Sequence, residues 1–322
     1  MTRATALLLA LALGGAFLAS LALPYGDLAG IYRQDTGLAT TLLIELRLPR
    51  AALALIYGAM LGAAGAAVQA LFANPLASPD LTGTTSGAAL GAVITAYIFG
   101  FAAPIALSVG SVAGALGALL LLLALAGPKA ETATLLLAGL AISALAGALT
   151  TLALALAPSP FAFYDAYDWL MGSLVDRSLA QTAFAGIPAA LSFALLLRLV
   201  RPLDSLALGE EVAQSLGHDV PSLRRQVVCL TALGVGACVA ICGAIGFVGL
   251  VAPIFARRLT RSHPGRAILP AAMIGGILLL LADLAVRLAP LGRTLPIGVL
   301  TALLGAPFFL WLVAHMRWRV AA

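Results

Sequence analysis

Nucleotide hydrolysis is the first chemistry to consider, because a phosphate-binding loop has a recognisable spacing of residue types. Such a loop needs G-x-x-x-x-G-K-[ST], in which backbone amides surround the phosphates and the lysine reaches the terminal ones. The chain has one lysine, Lys129, which stands in the sequence Gly127-Pro128-Lys129-Ala130 and is followed by neither Ser nor Thr. The sequence therefore predicts no nucleotide-binding site.

Histidine and cysteine give no better case for catalysis or metal binding. The three histidines fall in connections or near the end of the chain, which does not favour a Ser/His/Asp hydrolase. The three cysteines lie in one apolar segment, where Cys238 and Cys242 share a helix face but have no neighbouring His or carboxylate to complete a metal site. Small packing residues are the better interpretation. We therefore expect no enzyme activity, metal site, disulfide framework or cofactor.

Two carboxylates stand at or within apolar segments, where an ionisable side chain is costly and usually functional. Arg287 follows Asp283 by one helical turn, so an ion pair between i and i+4 is the preferred interpretation and a proton relay is the alternative. A proton-driven transporter would need several buried carboxylates, and Asp80 and Asp283 are the only candidates in the sequence. Proton coupling therefore stays the second hypothesis.

Composition indicates the solvent in which the chain must fold. Of the 322 residues, 62% are hydrophobic and 10% are charged, whereas about 25% are charged in a typical soluble domain. A helix that crosses the hydrocarbon core of about 30 Å needs about 20 mostly apolar residues. The sequence therefore predicts an all-α integral membrane protein. The net charge of +5 does not indicate nucleic-acid binding, because the charged residues lie in short connections and form no basic face.

Apolar segments recur along the whole chain and predict a single transmembrane domain, residues 1–322, with about ten helices. They run 4–24, 51–73, 81–99, 103–126, 134–157, 182–200, 226–245, 249–259, 268–289 and 297–314. The first segment is interpreted as a retained helix rather than a cleaved signal peptide. With the N-terminus inside, 12 of the 18 basic residues are on the inner side and 6 on the outer side. The positive-inside tendency therefore places both termini in the cytoplasm.

Two stretches interrupt the apolar pattern, NPLASP at 74–79 and GAIGFVGLVAP at 243–253. Irregular backbone at membrane depth is tolerated only where protein or a water-filled cavity satisfies its polar groups. Paired discontinuous segments are typical of a transport pathway, and a weak likeness between the two regions leaves an inverted repeat open. Glycines spaced four apart in the flanking segments predict close helix packing: Gly58/Gly62, Gly83/Gly87, Gly87/Gly91 and Gly110/Gly114.

The longest predicted cytoplasmic connection, 201–225, contains a short amphipathic stretch. Leu208, Val212 and Leu216 are spaced i, i+4 and i+8, so they form one apolar stripe on a predicted helix around 206–216. The acidic pair Glu210 and Glu211 lies off this stripe. Other residues mark the helix ends: Gly209, Gly217, Asp219 and Pro221. An ordinary surface loop is the alternative to a segment that binds a partner.

Eight motifs along the chain occur in the same order in one transport family. They are RLPR (47–50), GAAGAAVQALFANPLASPDLTGTTSGAALG (62–91), LLLAG (135–139), WLMGSL (169–174), LALGEEVAQSLG (206–217), GAIGFVGLVAP (243–253), LLLADLAVR (279–287) and LPIGVLTALLGAPFFLWLV (295–313). In these motifs the chain resembles the FecCD-type permeases. These proteins are the membrane subunits of ABC importers for iron–siderophore complexes, haem and cobalamin.

The resemblance implies a type II ABC importer permease fold, with ten helices per chain and a homodimer around a central pathway. It implies two ATPase subunits on the cytoplasmic side and a periplasmic or lipid-anchored substrate-binding protein outside. The expected location is the bacterial inner membrane, in contact with its lipids. The expected cargo is an iron–siderophore complex, haem or cobalamin, and family frequency favours the first of these. A proton-coupled secondary transporter is the alternative.

The resemblance also assigns roles to three groups of residues. The translocation gate is expected at Asn74, Pro75, Leu76, Thr132 and Ala133. Coupling to the ATPase is expected at Leu208, Gly209, Glu210, Glu211, Val212, Leu216 and Gly217. Docking of the binding protein is expected at Arg47, Arg50 and Arg287, for which headgroup contact or an internal ion pair is the alternative. Family members often carry a hydroxyl at the position of Ala133, which weakens its assignment to the gate. They also often carry His at the position of Ile254.

Overall fold

A computed structural model describes residues 2–80, 82–101, 103–127, 132–289 and 295–320. For residues 25–28, 126, 132, 133, 135, 136, 313 and 315–320 the description covers the backbone alone. Every secondary-structure element within these ranges is a helix. The predicted all-helical membrane fold is confirmed.

Fifteen α-helices, a π-helical segment (Leu42–Arg47) and a 3₁₀ segment (Gly265–Ala267) follow one another along the described residues. The α-helices are α1 (Arg3–Ala22), α2 (Tyr25–Gln34), α3 (Thr36–Thr41), α4 (Leu48–Leu71), α5 (Thr84–Tyr97), α6 (Pro104–Ala126), α7 (Thr132–Ala155), α8 (Pro160–Leu170), α9 (Leu179–Arg198), α10 (Val200–Leu206), α11 (Glu210–Ser215), α12 (Val220–Cys242), α13 (Val248–Leu259), α14 (Ile268–Leu288) and α15 (Ile297–Val320).

Seven stretches of the described chain are helical, long and apolar enough to cross a membrane. They are Arg3–Ala22, Thr36–Leu71, Pro104–Leu125, Leu137–Ala155, Leu179–Arg198, Val220–Cys242 and Gly265–Leu288. The shorter helices α5 and α13 and the apolar stretch Ile297–Leu312 of α15 match the three other predicted segments. Helices α2, α3 and α8 were not predicted, because they are too short to give an apolar run of spanning length.

Helix α4 lies at the centre of the molecule and is buried along most of its length. It packs against α14, α13, α9 and α12. The contact with α14 is made by small residues: a Cβ added at Gly62 would stand 2.1 Å from the carbonyl oxygen of Ala271, and one at Gly58 would stand 2.3 Å from that of Gly275. In a membrane the hydrophobic effect does not drive helices together, so their association depends on close van der Waals packing, which these small residues permit.

A second contact of the same kind joins α5 to α6. A Cβ added at Gly91 would lie 2.1 Å from the carbonyl oxygen of Gly110, and one at Gly114 would lie 2.1 Å from that of Gly87. The glycines spaced four apart in the sequence therefore face each other across helix pairs within one chain. The predicted close packing is confirmed at both contacts.

The predicted single helix around 206–216 is wrong. Helix α10 ends at Leu206, and the backbone turns through Gly209 with φ +104° before α11 begins at Glu210. A glycine adopts this conformation readily, so the helix is interrupted there. The predicted end at Gly217 and restart at Asp219 are confirmed, since Gly217 has φ +86° and the Asp219 side chain caps α12 by accepting a hydrogen bond from the Ser222 N–H.

Candidate functional site

The two interruptions of the apolar pattern are joined by one carboxylate. Asp80 stands just before α5, and its Oδ2 accepts a hydrogen bond from the backbone N–H of Phe247 at 3.1 Å. Its Oδ1 accepts from the hydroxyl of Thr85 at 2.7 Å. Phe247 has φ +66°, a left-handed conformation that is uncommon for a residue with a side chain. The carboxylate therefore pairs the N–H of a strained turn and links it to the start of α5.

Helix α4 supplies two further polar partners to the second interruption. The hydroxyl of Tyr57 donates to the carbonyl of Gly243 at 3.1 Å and accepts from the N–H of Ile245 at 3.3 Å. The Gln69 amide donates to the carbonyl of Leu250 at 3.3 Å. Both side chains are fully buried. Sequence reasoning missed them, although a Tyr and a Gln inside a helix of Ala, Gly and Leu are a usable signal.

Phe247 borders two cavities. One has a volume of about 210 Å³ and is lined by Ser78, Asp80, Gly246, Phe247, Leu250 and Phe309. The other, of about 190 Å³, lies among α13, α14 and α15. The Phe247 ring packs directly over Gly305 of α15, where an added Cβ would stand 2.2 Å from its Cγ. The strained turn therefore contacts Asp80, just before α5, through its backbone and α15 through its side chain.

The first part of the predicted gate forms a tight turn at the end of α4. Asn74 is buried, and its Oδ1 accepts a hydrogen bond from the N–H of Leu76 at 2.9 Å. Pro75 and Leu76 are half-buried beside it. Helix α7 begins at Thr132, but the side chains of Thr132 and Ala133 lie outside the described part of the chain. The gate therefore stays a prediction, with the turn at Asn74 as its described half.

The arginines predicted on the outer side, Arg47, Arg50 and Arg287, come together around Asp283 and are named with it the outer arginine cluster. The Asp283 side chain is 1% exposed, and its two oxygens face Arg50 Nε at 2.8 Å and Arg287 Nε at 3.2 Å. The predicted Asp283–Arg287 pair is confirmed, whereas the sequence did not indicate Arg50 as the second partner because it is 233 residues away. A buried carboxylate between two guanidinium groups is neutralised in place, as burial of a charge requires.

Two members of the outer arginine cluster also hold the end of α1. The last carbonyls of a helix have no partner within it, and cations are favourable there. Arg47 donates from Nη1 and Nη2 at 2.9–3.3 Å to the carbonyls of Leu21, Ala22 and Pro24. Arg287 donates to the Leu23 carbonyl and to both oxygens of Ser20. These two side chains therefore fix the end of α1 to α14 and to the π-helical segment that leads into α4.

Arg50 differs from the other two arginines in what it leaves free. Its Nε is bound to Asp283, but Nη1 and Nη2 make no hydrogen bond to any residue that the structure describes. The side chain is 18% exposed. Of the three predicted docking residues, Arg50 is therefore the one whose terminal nitrogens are not already engaged by described residues of the chain.

The predicted coupling residues form an exposed apolar trio, defined as Leu208, Val212 and Leu216. Their side chains are 66%, 41% and 59% exposed. Helix α11 is held to the body by Ala213, which is fully buried. The trio therefore faces away from the chain's own helical body. Glu210 pairs with Arg224 at 2.7 Å and Glu211 is exposed.

Comparison with known proteins shows similarity along almost the full chain. The sequence profile of the FecCD transport family matches residues 6–315. A vitamin B12 import system permease protein of Vibrio cholerae serotype O1 is 40% identical over 291 residues, which are 87% of this chain and 85% of that protein. An Fe(3+)-citrate import system permease protein of Bacillus subtilis strain 168 is 38% identical over 271 residues, 84% of this chain and 80% of that protein.

A solved structure has the same architecture. It is an inward-facing metal-chelate-type ABC transporter, and it superposes with a TM-score of 0.81 at 32% identity. The match covers 95% of this chain and 97% of the other chain. A second structure, PsaBC from Streptococcus pneumoniae, shares the fold at a TM-score of 0.62 and 18% identity.

The link between Asp80 and Phe247 gives a testable prediction. Asp80→Ala leaves the Phe247 N–H and the Thr85 hydroxyl without their acceptor, so we expect a loss of about 1–3 kcal/mol in stability for each unpaired buried group. Thermal unfolding in detergent should show a lower Tm, and hydrogen exchange should be faster at 243–248. Asp80→Asn keeps one acceptor oxygen and should lose less. The control is Asp168→Ala, which changes an exposed carboxylate; unaltered exchange in Asp80→Ala would refute the link.

Proposed function

This chain belongs to the FecCD transport family and is a permease subunit of an ABC importer, and we propose that it moves a metal chelate into the cytoplasm. The cargo class is a corrinoid such as cobalamin or a ferric chelate of the siderophore type. Similarity to a vitamin B12 permease and a ferric citrate permease, over at least four fifths of each protein, is the observation that supports this class. Haem belongs to the same size class and is tested with them.

The proposed assembly is a homodimer with two ATPase subunits and a substrate-binding protein. A separate ATPase is needed because the sequence contains no phosphate-binding loop. The arginine distribution supports cytoplasmic termini, and the exposed apolar trio then lies on the cytoplasmic side with the ATPase. The outer arginine cluster lies on the opposite side, where the binding protein of a bacterial inner-membrane importer delivers its ligand.

Proton coupling is the less favoured mechanism on geometric grounds. Asp80 receives a hydrogen bond at each oxygen, and each oxygen of Asp283 faces a guanidinium group. Because each oxygen of both carboxylates already has a partner within the described chain, both groups are suited to a fixed structural role. A proton relay needs a carboxylate that changes its protonation state during the cycle.

Reconstitution into liposomes tests the function. We expect the purified chain alone to hydrolyse no ATP, and the chain with its cognate ATPase and binding protein to take up radiolabelled cyanocobalamin, ferric siderophore or haemin only when ATP is enclosed on the ATPase side. Omission of the ATPase is the control. Uptake driven by a pH gradient without ATP would establish the proton-coupled alternative instead.

Docking of the binding protein is proposed to depend chiefly on Arg50. Its planar guanidinium presents two unengaged nitrogens, which suit bidentate binding of a carboxylate on the partner. Asp283 holds the third nitrogen at 2.8 Å and so restricts the orientation of the group. Arg47 and Arg287 contribute positive charge to the same surface, while their hydrogen bonds maintain the end of α1.

Charge reversal separates these contributions. Arg50→Glu should weaken binding-protein affinity with little effect on Tm, and the loss should shrink at high salt because surface charges act over about a Debye length. Arg47→Glu and Arg287→Glu should weaken affinity and also lower the Tm, since each removes hydrogen bonds to α1. Surface plasmon resonance on immobilised permease measures the first effect and thermal unfolding the second. Affinity unchanged in all three variants would contradict the docking proposal.

Coupling to the ATPase is proposed to run through the exposed apolar trio. Apolar side chains this exposed on a polar connection are typical of a protein contact. Glycines at 209 and 217, both with positive φ, bracket the short helix α11 and permit it to tilt as a unit. The trio would then enter a groove of the ATPase as that subunit closes on ATP.

Val212→Asp tests the coupling surface. The new carboxylate is solvated in the free permease, so the chain should insert and dimerise normally. In the complex it would be buried without a partner, at a cost of several kcal/mol. We expect transport to be abolished and ATPase co-purification to be lost or reduced, while Gln214→Ala, on an exposed neighbour in the same helix, behaves as wild type. Normal uptake by Val212→Asp would place coupling in another connection, such as 257–267.

A further inference from the structure

Arg257, near the end of α13, carries a guanidinium group that forms no ion pair with any described residue. Its Nε and Nη2 are buried and have no hydrogen-bond partner among the described residues. A buried charge without a partner is costly, so such groups normally bind an opposite charge. The geometry points to an anionic group that arrives from outside the chain.

The connection that follows α13 adds to this positive charge. Residues 257–266 (RRLTRSHPGR) contain four arginines and no acidic residue. Asp204 pairs with Arg266 at 3.4 Å and accepts the N–H of Gly265 at 2.8 Å. No carboxylate among the described residues forms an ion pair with Arg257, Arg258 or Arg261. These three side chains are named the basic corner.

Partly exposed apolar side chains lie next to the basic corner. On α13, Phe255 and Arg258 are three residues apart and share a helix face; one face of the Phe255 ring stacks on Phe308, and the side chain remains 41% exposed. Arg266 of the 3₁₀ segment and the exposed Leu269 at the start of α14 have the same spacing. In both pairs the apolar residue is deeper in its helix and the arginine is nearer the connection. This arrangement is typical of a bilayer interface, where apolar groups contact acyl chains and arginines reach the headgroups.

We propose that the basic corner binds the phosphate of an anionic phospholipid. Arginine forms short, charge-assisted hydrogen bonds to phosphate oxygens, and basic pockets between helices at the membrane surface bind anionic headgroups such as cardiolipin. A lipid satisfies both features, because its phosphate reaches the exposed Arg258 and Arg261 and the Nη1 of Arg257, while its chains cover Leu269 and the open face of Phe255. A carboxylate from a protein partner would leave the apolar side chains unexplained. The site depends on membrane insertion and not on the transported chelate.

Native mass spectrometry of the purified full-length chain tests the site. With added cardiolipin, Arg257→Gln should retain the lipid about five-fold more weakly than wild type, the change expected for one arginine at a lipid surface. Phosphatidylcholine should be retained weakly by both proteins. Millimolar inorganic phosphate should not displace cardiolipin, because free phosphate lacks the chains. The control is Arg225→Gln, an exposed arginine in the first turns of α12, which should retain cardiolipin as wild type does.

A second variant covers the case in which Arg257→Gln does not fold. Arg258 and Arg261 are exposed, so the double variant Arg258→Gln/Arg261→Gln should fold normally and lose cardiolipin by a similar or larger factor. Cardiolipin retention equal to wild type in both variants would overturn the proposal. So would a result in which Arg257→Gln keeps cardiolipin but loses the co-purifying ATPase, since the guanidinium would then bind protein.

Discussion

The structure depends on one constraint, the need to pair every backbone polar group at membrane depth. Helices meet it by themselves, but the turn at 243–247 cannot. Asp80 accepts the Phe247 N–H, and Tyr57 pairs with the carbonyl of Gly243 and the N–H of Ile245. Close approach is possible because Gly65 of α4 lies against Gly249, where an added Cβ would stand 1.8 Å from the carbonyl oxygen. The central helix α4 thus packs against this irregular segment and pairs its backbone polar groups, which is what such a segment requires at membrane depth.

The same rule governs the outer end of α1, where side chains from other helices again satisfy backbone carbonyls. Arg47 and Arg287 bind the last carbonyls of α1, a helix that packs chiefly against α14 and in which Ser20 is the buried residue. Asp283 balances part of this positive charge and orders Arg50 beside it. The ion pair between Asp283 and Arg50 therefore acts chiefly by fixing the position of the Arg50 guanidinium group.

Three sets of groups have no partner among the described residues, and each is proposed to bind another molecule. They are the terminal nitrogens of Arg50, the exposed apolar trio, and the Nε and Nη2 of Arg257. The interior is held by buried hydrogen bonds and glycine contacts, so these surface groups can engage partners without changes in the packing of α4. This separation suits a permease, whose body must stay intact while its partners bind and leave.

The sequence by itself determined the solvent, the approximate helix positions, the family and the Asp283–Arg287 pair. Apolar run length and i, i+4 spacing are local properties, so they can be identified from the sequence without knowledge of the fold. Only the tertiary structure showed that Arg50 shares Asp283, that Asp80 pairs with Phe247 and that Tyr57 and Gln69 support the second interruption. These partners are 167 to 233 residues apart. Their contacts depend on how α4 packs against α13 and α14, which no local pattern specifies.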